Sequence, residues 1–219
     1  MSSDHRLDPS SMPLRHPPFR LWVLYPLMLV VSSMLLRVFG RYRVRNKSKV
    51  PRRGGLIVLS NHISDADVLL VQLATPRPVH FMAKSELFDM AGIGPLIRWY
   101  GAFPVRRGTA DRAAIKHAVA LAQNGEVVGI FPEGQLSESG ELQDLKPGIA
   151  LIIRLAQVPV ICLGIRGMNR VLPYGSYMLR PTGTKVRAEW GEPRQFPPES
   201  TNEEILDWTR DQLLSLSRA

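Results

Sequence analysis

Hydrophobic positions along this 219-residue chain fall into two kinds of run. Leu56–Leu59, Val127–Ile130 and Val158–Ile165 are short, uninterrupted and rich in β-branched residues, and glycine or proline stands near their ends. Such runs predict strands buried on both faces. Val79–Ala83, Ala102–Val105 and Lys185–Trp190 read as further strands. Between them the apolar period lengthens to that of a helix. Ala66–Ala74 is one, and Leu87–Tyr100 another with a break at Gly92, Gly94 and Pro95. In Asp111–Asn124 the residues Ala113, Ala114, His117, Ala118 and Leu121 share one side, and Gly125 ends the helix. Leu145–Gln157 is helical, and Thr201-Asn202-Glu203-Glu204 opens a terminal helix. Alternating strands and helices predict a single α/β domain over 41–219, a mixed sheet flanked by helices with ligands at strand ends. No repeat or interdomain linker interrupts it.

Ahead of this domain the pattern changes. Residues 1–18 form a polar, proline-containing leader, and 19–40 hold the uncharged run Leu21–Leu36. As a helix that run is about 24 Å long, against a hydrocarbon core of about 30 Å. It anchors the chain to a membrane either by spanning, with Val38 and Phe39 included and Arg37 snorkelling, or by lying in the interface, where Trp22 and Tyr25 are suited. Arg37, Arg41, Arg43, Arg45, Lys47, Lys49, Arg52 and Arg53 follow without an acidic residue. In either geometry this collar favours an anionic, cytoplasmic membrane face. A cleavable signal peptide fits less well, because Arg37 ends the run with no small-x-small site before it. The net charge of +9 also suits nucleic acid, yet no nucleic-acid motif accompanies it. One cysteine, Cys162, excludes a disulfide scaffold.

The chemistry begins where the first strand ends. His62 and Asp67 lie five apart, about 140° round a continuous helix, so they meet only if the chain turns between them. The exit of Leu56–Leu59 supplies the turn: Ser64 or Asp65 caps the next helix, and Asp67 falls in its first turn. A general base and its orienting carboxylate need this arrangement, although Asp67 can equally serve only to bond backbone N–H groups. Farther on, Val127–Ile130 runs into Phe131-Pro132-Glu133-Gly134, which holds a glutamate in a tight turn at a second strand exit. His5, His16, His80 and His117 have no metal-ligand spacing, and His62 with Asp65 and Asp67 lacks a completing cluster, so no metal is expected.

Asn61-His62 with Asp67, followed by Phe131-Pro132-Glu133-Gly134, resembles the phospholipid/glycerol acyltransferase family, best known through lysophosphatidic acid acyltransferases. Gly101 to Arg107 is similar to its second block, with Arg107 at the family arginine and Arg106 where an acidic residue is common. Lys84 with Leu87-Phe88 resembles the lysine that helps hold the acceptor's phosphate. Val158-Pro159-Val160-Ile161-Cys162 is similar to the fourth block, with Cys162 replacing its second proline. The resemblance covers roughly Arg41 to Gly175.

That resemblance implies a glycerol-phosphate acyltransferase-like fold and transfer of a fatty acyl group from a thioester to the sn-2 hydroxyl of 1-acylglycerol-3-phosphate. His62 is then the base and Asp67 its orienter, while Lys84, Arg106, Arg107, Glu133 and Gly134 contact the acceptor. No bound cofactor is implied; acyl-CoA or acyl carrier protein thioester is the co-substrate, and a lysophospholipid in a membrane the partner. Direct transfer agrees with the absence of a Gly-x-Ser-x-Gly elbow. The departure is Gln135-Leu136-Ser137, where the family continues with threonine, arginine and serine. Leu136 removes a cation, which leaves open another lysolipid acceptor, or a non-catalytic lipid-binding relative.

Overall fold

The computed structural model describes residues 8, 9, 12–14, 25–106, 111–176, 178–181 and 183–218. Seven strands make one sheet: β1 (Arg43–Arg45), β2 (Leu56–Ser60), β3 (Val79–Lys84), β4 (Phe103–Val105), β5 (Val127–Ile130), β6 (Val160–Arg166) and β7 (Arg187–Trp190), in the order β1-β7-β6-β2-β5-β3-β4. β2 through β6 run parallel where they pair, whereas β7 is antiparallel to β6. The sheet is therefore mixed, as the alternation predicts.

β2 sits in the centre with all five residues buried. Its alternate side chains feed two cores. Leu56 and Val58 join Leu70, Val71, Phe81 and Ile161 on one face; Ile57 and Leu59 join Leu121, Ile149, Ile153 and Leu213 on the other. The first face is covered by α1 (Tyr25–Gly40) and α2 (Asp67–Ala74). The second is covered by α4 (Arg112–Gln123), α5 (Gly148–Ala156) and α7 (Asn202–Arg218), while α3 (Ile93–Trp99) and the one-turn α6 (Met168–Val171) lie in connections. Burying both faces is what selects β-branched runs without polar alternation.

Two features of the N-terminal stretch take a definite place in the fold. The apolar N-terminal run is a helix only from Tyr25 among the described residues, with 15–24 outside them, and no described helix is long and apolar enough to cross a membrane. Ser32, Leu36 and Gly40 are buried against the domain, and Tyr25 Oη accepts a hydrogen bond from Gln72 Nε2 of α2 at 2.9 Å. Gly40 permits that closeness, since a Cβ there would stand 2.7 Å from Val186 Cγ2. Second, the basic collar is partly structural: Arg43–Arg45 is β1, paired in parallel with β7.

Candidate active site

β2 and β5 are adjacent and parallel, with Leu59 opposite Ile130. Their C-terminal ends leave the sheet side by side, which brings His62 and Glu133 to one edge. The expected cap differs in detail: Ala66 occupies the N-cap of α2, without a side-chain cap bond, and Asp67 is the first helical residue. Asp67 turns back instead. Its Oδ2 accepts from His62 Nδ1 at 3.1 Å, from the Ile63 N–H at 2.7 Å and from the Ser64 N–H at 2.8 Å. The two sequence readings of this carboxylate, orienter of the ring and acceptor of backbone N–H groups, coexist in one oxygen.

Asp67 is fully buried and His62 nearly so. Burial pushes the Asp67 carboxyl above its usual range, opposed by the His62 ring and the two backbone N–H groups. The ring is fixed on its other side by Phe131, stacked at 3.9 Å between centroids and 14° from parallel, with Phe81 behind Phe131 at 6.1 Å. His62 Nε2 takes no hydrogen bond from the described residues, so the ring presents one nitrogen to Asp67 and the other to a ligand.

Glu133 is bonded on both oxygens: Oε1 accepts from the His62 N–H at 2.8 Å and Oε2 from the Gln143 N–H at 2.9 Å. It is 1% exposed, and burial raises its pKa against the pull of those two N–H groups. The structure thus ties the two strand exits together through this side chain, and a neighbouring N–H completes the tie, Ser137 N donating to the His62 carbonyl at 2.8 Å. Gly134 closes the turn at φ +67°, in the left-handed region. Asn61 holds the other neighbour of β2: its Oδ1 accepts from Ile165 N at 2.7 Å and its Nδ2 donates to Ile165 O at 2.9 Å.

The basic residues are spread more widely. Lys84 ends β3 with its ammonium 3.3 Å from Glu86, and Arg106 follows β4 with Nε 3.5 Å from Asp111, the N-cap of α4. Arg107 lies outside the described residues. Phe131, Gln143 and Lys146 were not singled out from sequence. Phe131 stood beside the Pro-Glu-Gly turn, whereas Gln143 and Lys146 reach it only through the tertiary fold; the Lys146 stem lies 3.1 Å from where a Cβ on Gly134 would stand.

Among the described residues no cluster of three or more His, Cys, Asp or Glu is placed to hold a metal ion. Cys162 is buried in β6, and its desolvation pushes the thiol pKa far up, which is the opposite of what a nucleophilic cysteine needs.

Over 136 residues the chain is 32% identical to a 1-acyl-sn-glycerol-3-phosphate acyltransferase of Bacillus subtilis, covering 62% of this chain and 67% of that protein. A Streptococcus pneumoniae protein of the same description is 32% identical over 135 residues, 60% of this chain and 50% of its own length. The chain thus spans between half and two thirds of these relatives. In fold it is similar to the crystal structure of a 1-acyl-sn-glycerophosphate acyltransferase from Thermotoga maritima, with a TM-score of 0.76 over 89% of this chain and 79% of that one at 23% identity. The Acyltransferase family model matches residues 41–166, from the threshold of β1 to the end of β6 and hence across both strand exits, and the chain belongs to that family.

Proposed function

We propose that this protein transfers a fatty acyl group from an acyl thioester to the sn-2 hydroxyl of 1-acylglycerol-3-phosphate, forming phosphatidic acid for phospholipid biosynthesis. The supporting observation is the His62 ring, bonded through Nδ1 to a buried Asp67 and stacked on Phe131. Nε2 accepts the acceptor hydroxyl's proton as its oxygen attacks the thioester carbonyl. The new C–O bond forms, the C–S bond breaks, and the imidazolium returns the proton to the departing thiolate. Asp67 holds the Nδ1–H tautomer and faces the transient positive charge. A positioned base supplies about 10²–10⁴-fold in rate; alignment of hydroxyl and thioester supplies more.

Lys84, Arg106 and Arg107, with Lys146 beside the glutamate turn, are suited to the acceptor's phosphate in place of a cation at Leu136. That same substitution favours a second reading, a lysolipid acceptor whose headgroup does not need it. The expected setting is the cytoplasmic face of an anionic membrane: α1 turns Leu27, Val30, Val31, Met34 and Val38 to solvent as one stripe, the pattern of a helix lying in the interface.

The test is thiol release by purified protein in detergent, with acyl-CoA and acyl carrier protein thioester as donors. It is offered 1-acylglycerol-3-phosphate and other lysolipids, beside His62→Ala. Release that requires 1-acylglycerol-3-phosphate and disappears in the variant supports the reading. Release with a different lysolipid alone replaces the acceptor; none with folded protein overturns acyl transfer. Flotation with anionic and neutral vesicles tests the membrane setting.

A further inference from the structure

β6 and β7 pair with Arg166 opposite Arg187, and β7 and β1 pair with Arg43 opposite Arg187. Three arginines therefore stand in one cross-strand row, at the sheet edge from which His62 also departs. Like charges directly opposite one another destabilise a sheet, so this row has a cost that a bound anion removes. No carboxylate stands in the row itself. Glu189 lies two residues along β7, with Oε2 3.8 Å from Arg45.

A cleft of about 720 Å³ opens over two of the three, Arg166 and Arg187, and is lined also by Arg170, Lys185 and Arg218, with Glu141 as an acidic member. Arg166 Nη1 donates to the carbonyl of Arg218 at 3.2 Å, while Nη2 is buried with no hydrogen-bond partner. Burial first, and then the adjacent Arg187, pull the Arg166 pKa down, while Glu189 partly opposes them. A buried donor without an acceptor, beside four other cations of the cleft, points to an anionic ligand with several charges.

The position of the cleft says which end of a ligand it takes. Asn61 and Ile63, on either side of His62, contribute to its wall, but His62, Asp67 and Glu133 do not. The phosphate of a glycerol-phosphate acceptor is separated from its sn-2 hydroxyl by only two carbons and one ester oxygen, so it stays beside His62. A phosphate seated over β6 and β7 belongs to a longer molecule whose reactive end reaches over the strand ends. Nucleotide-linked thioesters have that form, with a pantetheine arm between sulfur and phosphates.

We propose that this cleft binds the phosphates of a coenzyme A-linked acyl donor. The assignment rests on the acyl-transfer reading for its ligand but not for its test. Titration calorimetry with unacylated coenzyme A on the full chain reads binding without turnover. The expected result is saturable binding that His62→Ala keeps. Arg187→Gln weakens it by about tenfold or more, as loss of a charge-assisted contact does, and glycerol 3-phosphate does not compete. Because Arg187 is in the sheet, the exposed pair Arg170→Gln/Lys185→Gln serves as a second variant and gives the same direction. In kinetics both raise the KM for acyl-CoA, leaving the KM for the lysolipid unchanged.

Coenzyme A binding indifferent to both variants overturns the proposal, as does the absence of such binding. A rise confined to the lysolipid KM assigns the cleft to the acceptor's phosphate instead. Turnover supported only by acyl carrier protein, and lowered by the variants, assigns it to an acidic protein surface and equally overturns it. A protein that binds coenzyme A here yet releases no thiol with any acceptor leaves the cleft standing and sinks acyl transfer.

Discussion

Asp67→Asn separates the two things that Asp67 does. Oδ2 accepts three hydrogen bonds, from Nδ1 of His62 and the N–H groups of Ile63 and Ser64. An asparagine with its oxygen in that place keeps all three. Turned over, its NH₂ faces two backbone donors and loses two bonds of about 1 kcal/mol each, so the backbone selects the oxygen-in orientation by about 2 kcal/mol or more. His62 therefore keeps its Nδ1–H tautomer. What disappears is the negative charge facing the imidazolium, the difference between a charge-assisted bond of about 1.5–3 kcal/mol and a neutral one of about 1. At one decade per 1.36 kcal/mol, kcat falls by about 2- to 30-fold. In serine-protease triads, where asparagine stabilises the wrong tautomer, the corresponding loss is about 10⁴-fold.

Asp67→Ala behaves differently, because it leaves two buried N–H groups unsatisfied at about 1–3 kcal/mol each and frees the ring. The assay is kcat at saturating acceptor across pH, paired with thermal unfolding of both variants. The alanine variant unfolds at lower temperature and loses more than the asparagine variant. A loss near 10⁴-fold in Asp67→Asn with its fold intact refutes the backbone-selected tautomer. An unchanged kcat refutes the role of the charge.

Four further outcomes follow from the same geometry. Phe131→Leu removes the stack on His62, worth about 0.5–1.5 kcal/mol, and lowers kcat several-fold with little change in KM, read from steady-state kinetics. Gly129→Ala places a Cβ 2.7 Å from Phe81 Cε1 and from Val79 Cγ1; overpacking costs about 1–3 kcal/mol, visible in urea unfolding, and disturbs the Phe81–Phe131–His62 stack. Glu133 is held above the usual carboxylate range, so its folded form binds a proton more tightly than its unfolded form. Its contribution is fully present below the unfolded pKa and declines as pH rises through the folded one; Glu133→Gln flattens that part of the stability–pH profile but, by setting an NH₂ against one backbone donor, lowers stability at low pH. Leu136→Arg restores a cation beside the glutamate turn and lowers the KM for 1-acylglycerol-3-phosphate if that is the acceptor; an unchanged KM moves the headgroup elsewhere.

Strands β2, β5 and β6 were legible because a strand buried on both faces has to be apolar at every position, a signal carried entirely by neighbours in sequence. The His62–Asp67 pair was legible for a similar reason: a five-residue turn is local, and its partners are fixed by the exit of one strand. β1 was not, since Arg-Val-Arg carries no such run and is a strand only because β7 pairs with it. Glu133 was visible as a residue, but not in its connections. That it bridges the His62 and Gln143 backbones follows from β2 and β5 being neighbours, although 66 residues separate the end of one from the start of the other.

The basic residues show the same division. Sequence counted the collar and placed it beside an apolar run, because charge and hydropathy are properties of single residues and their spacing. Which cations share a surface is a matter of strand order. Arg43, Arg166 and Arg187 are remote in the chain and stand in one row only because β6, β7 and β1 pair in this register. Composition and local periodicity thus determined the α/β class, the central strands and the turn that lets His62 and Asp67 meet. Only tertiary pairing, where long-range backbone hydrogen bonds fix which strand ends meet, decided how Glu133 acts and where the arginines gather.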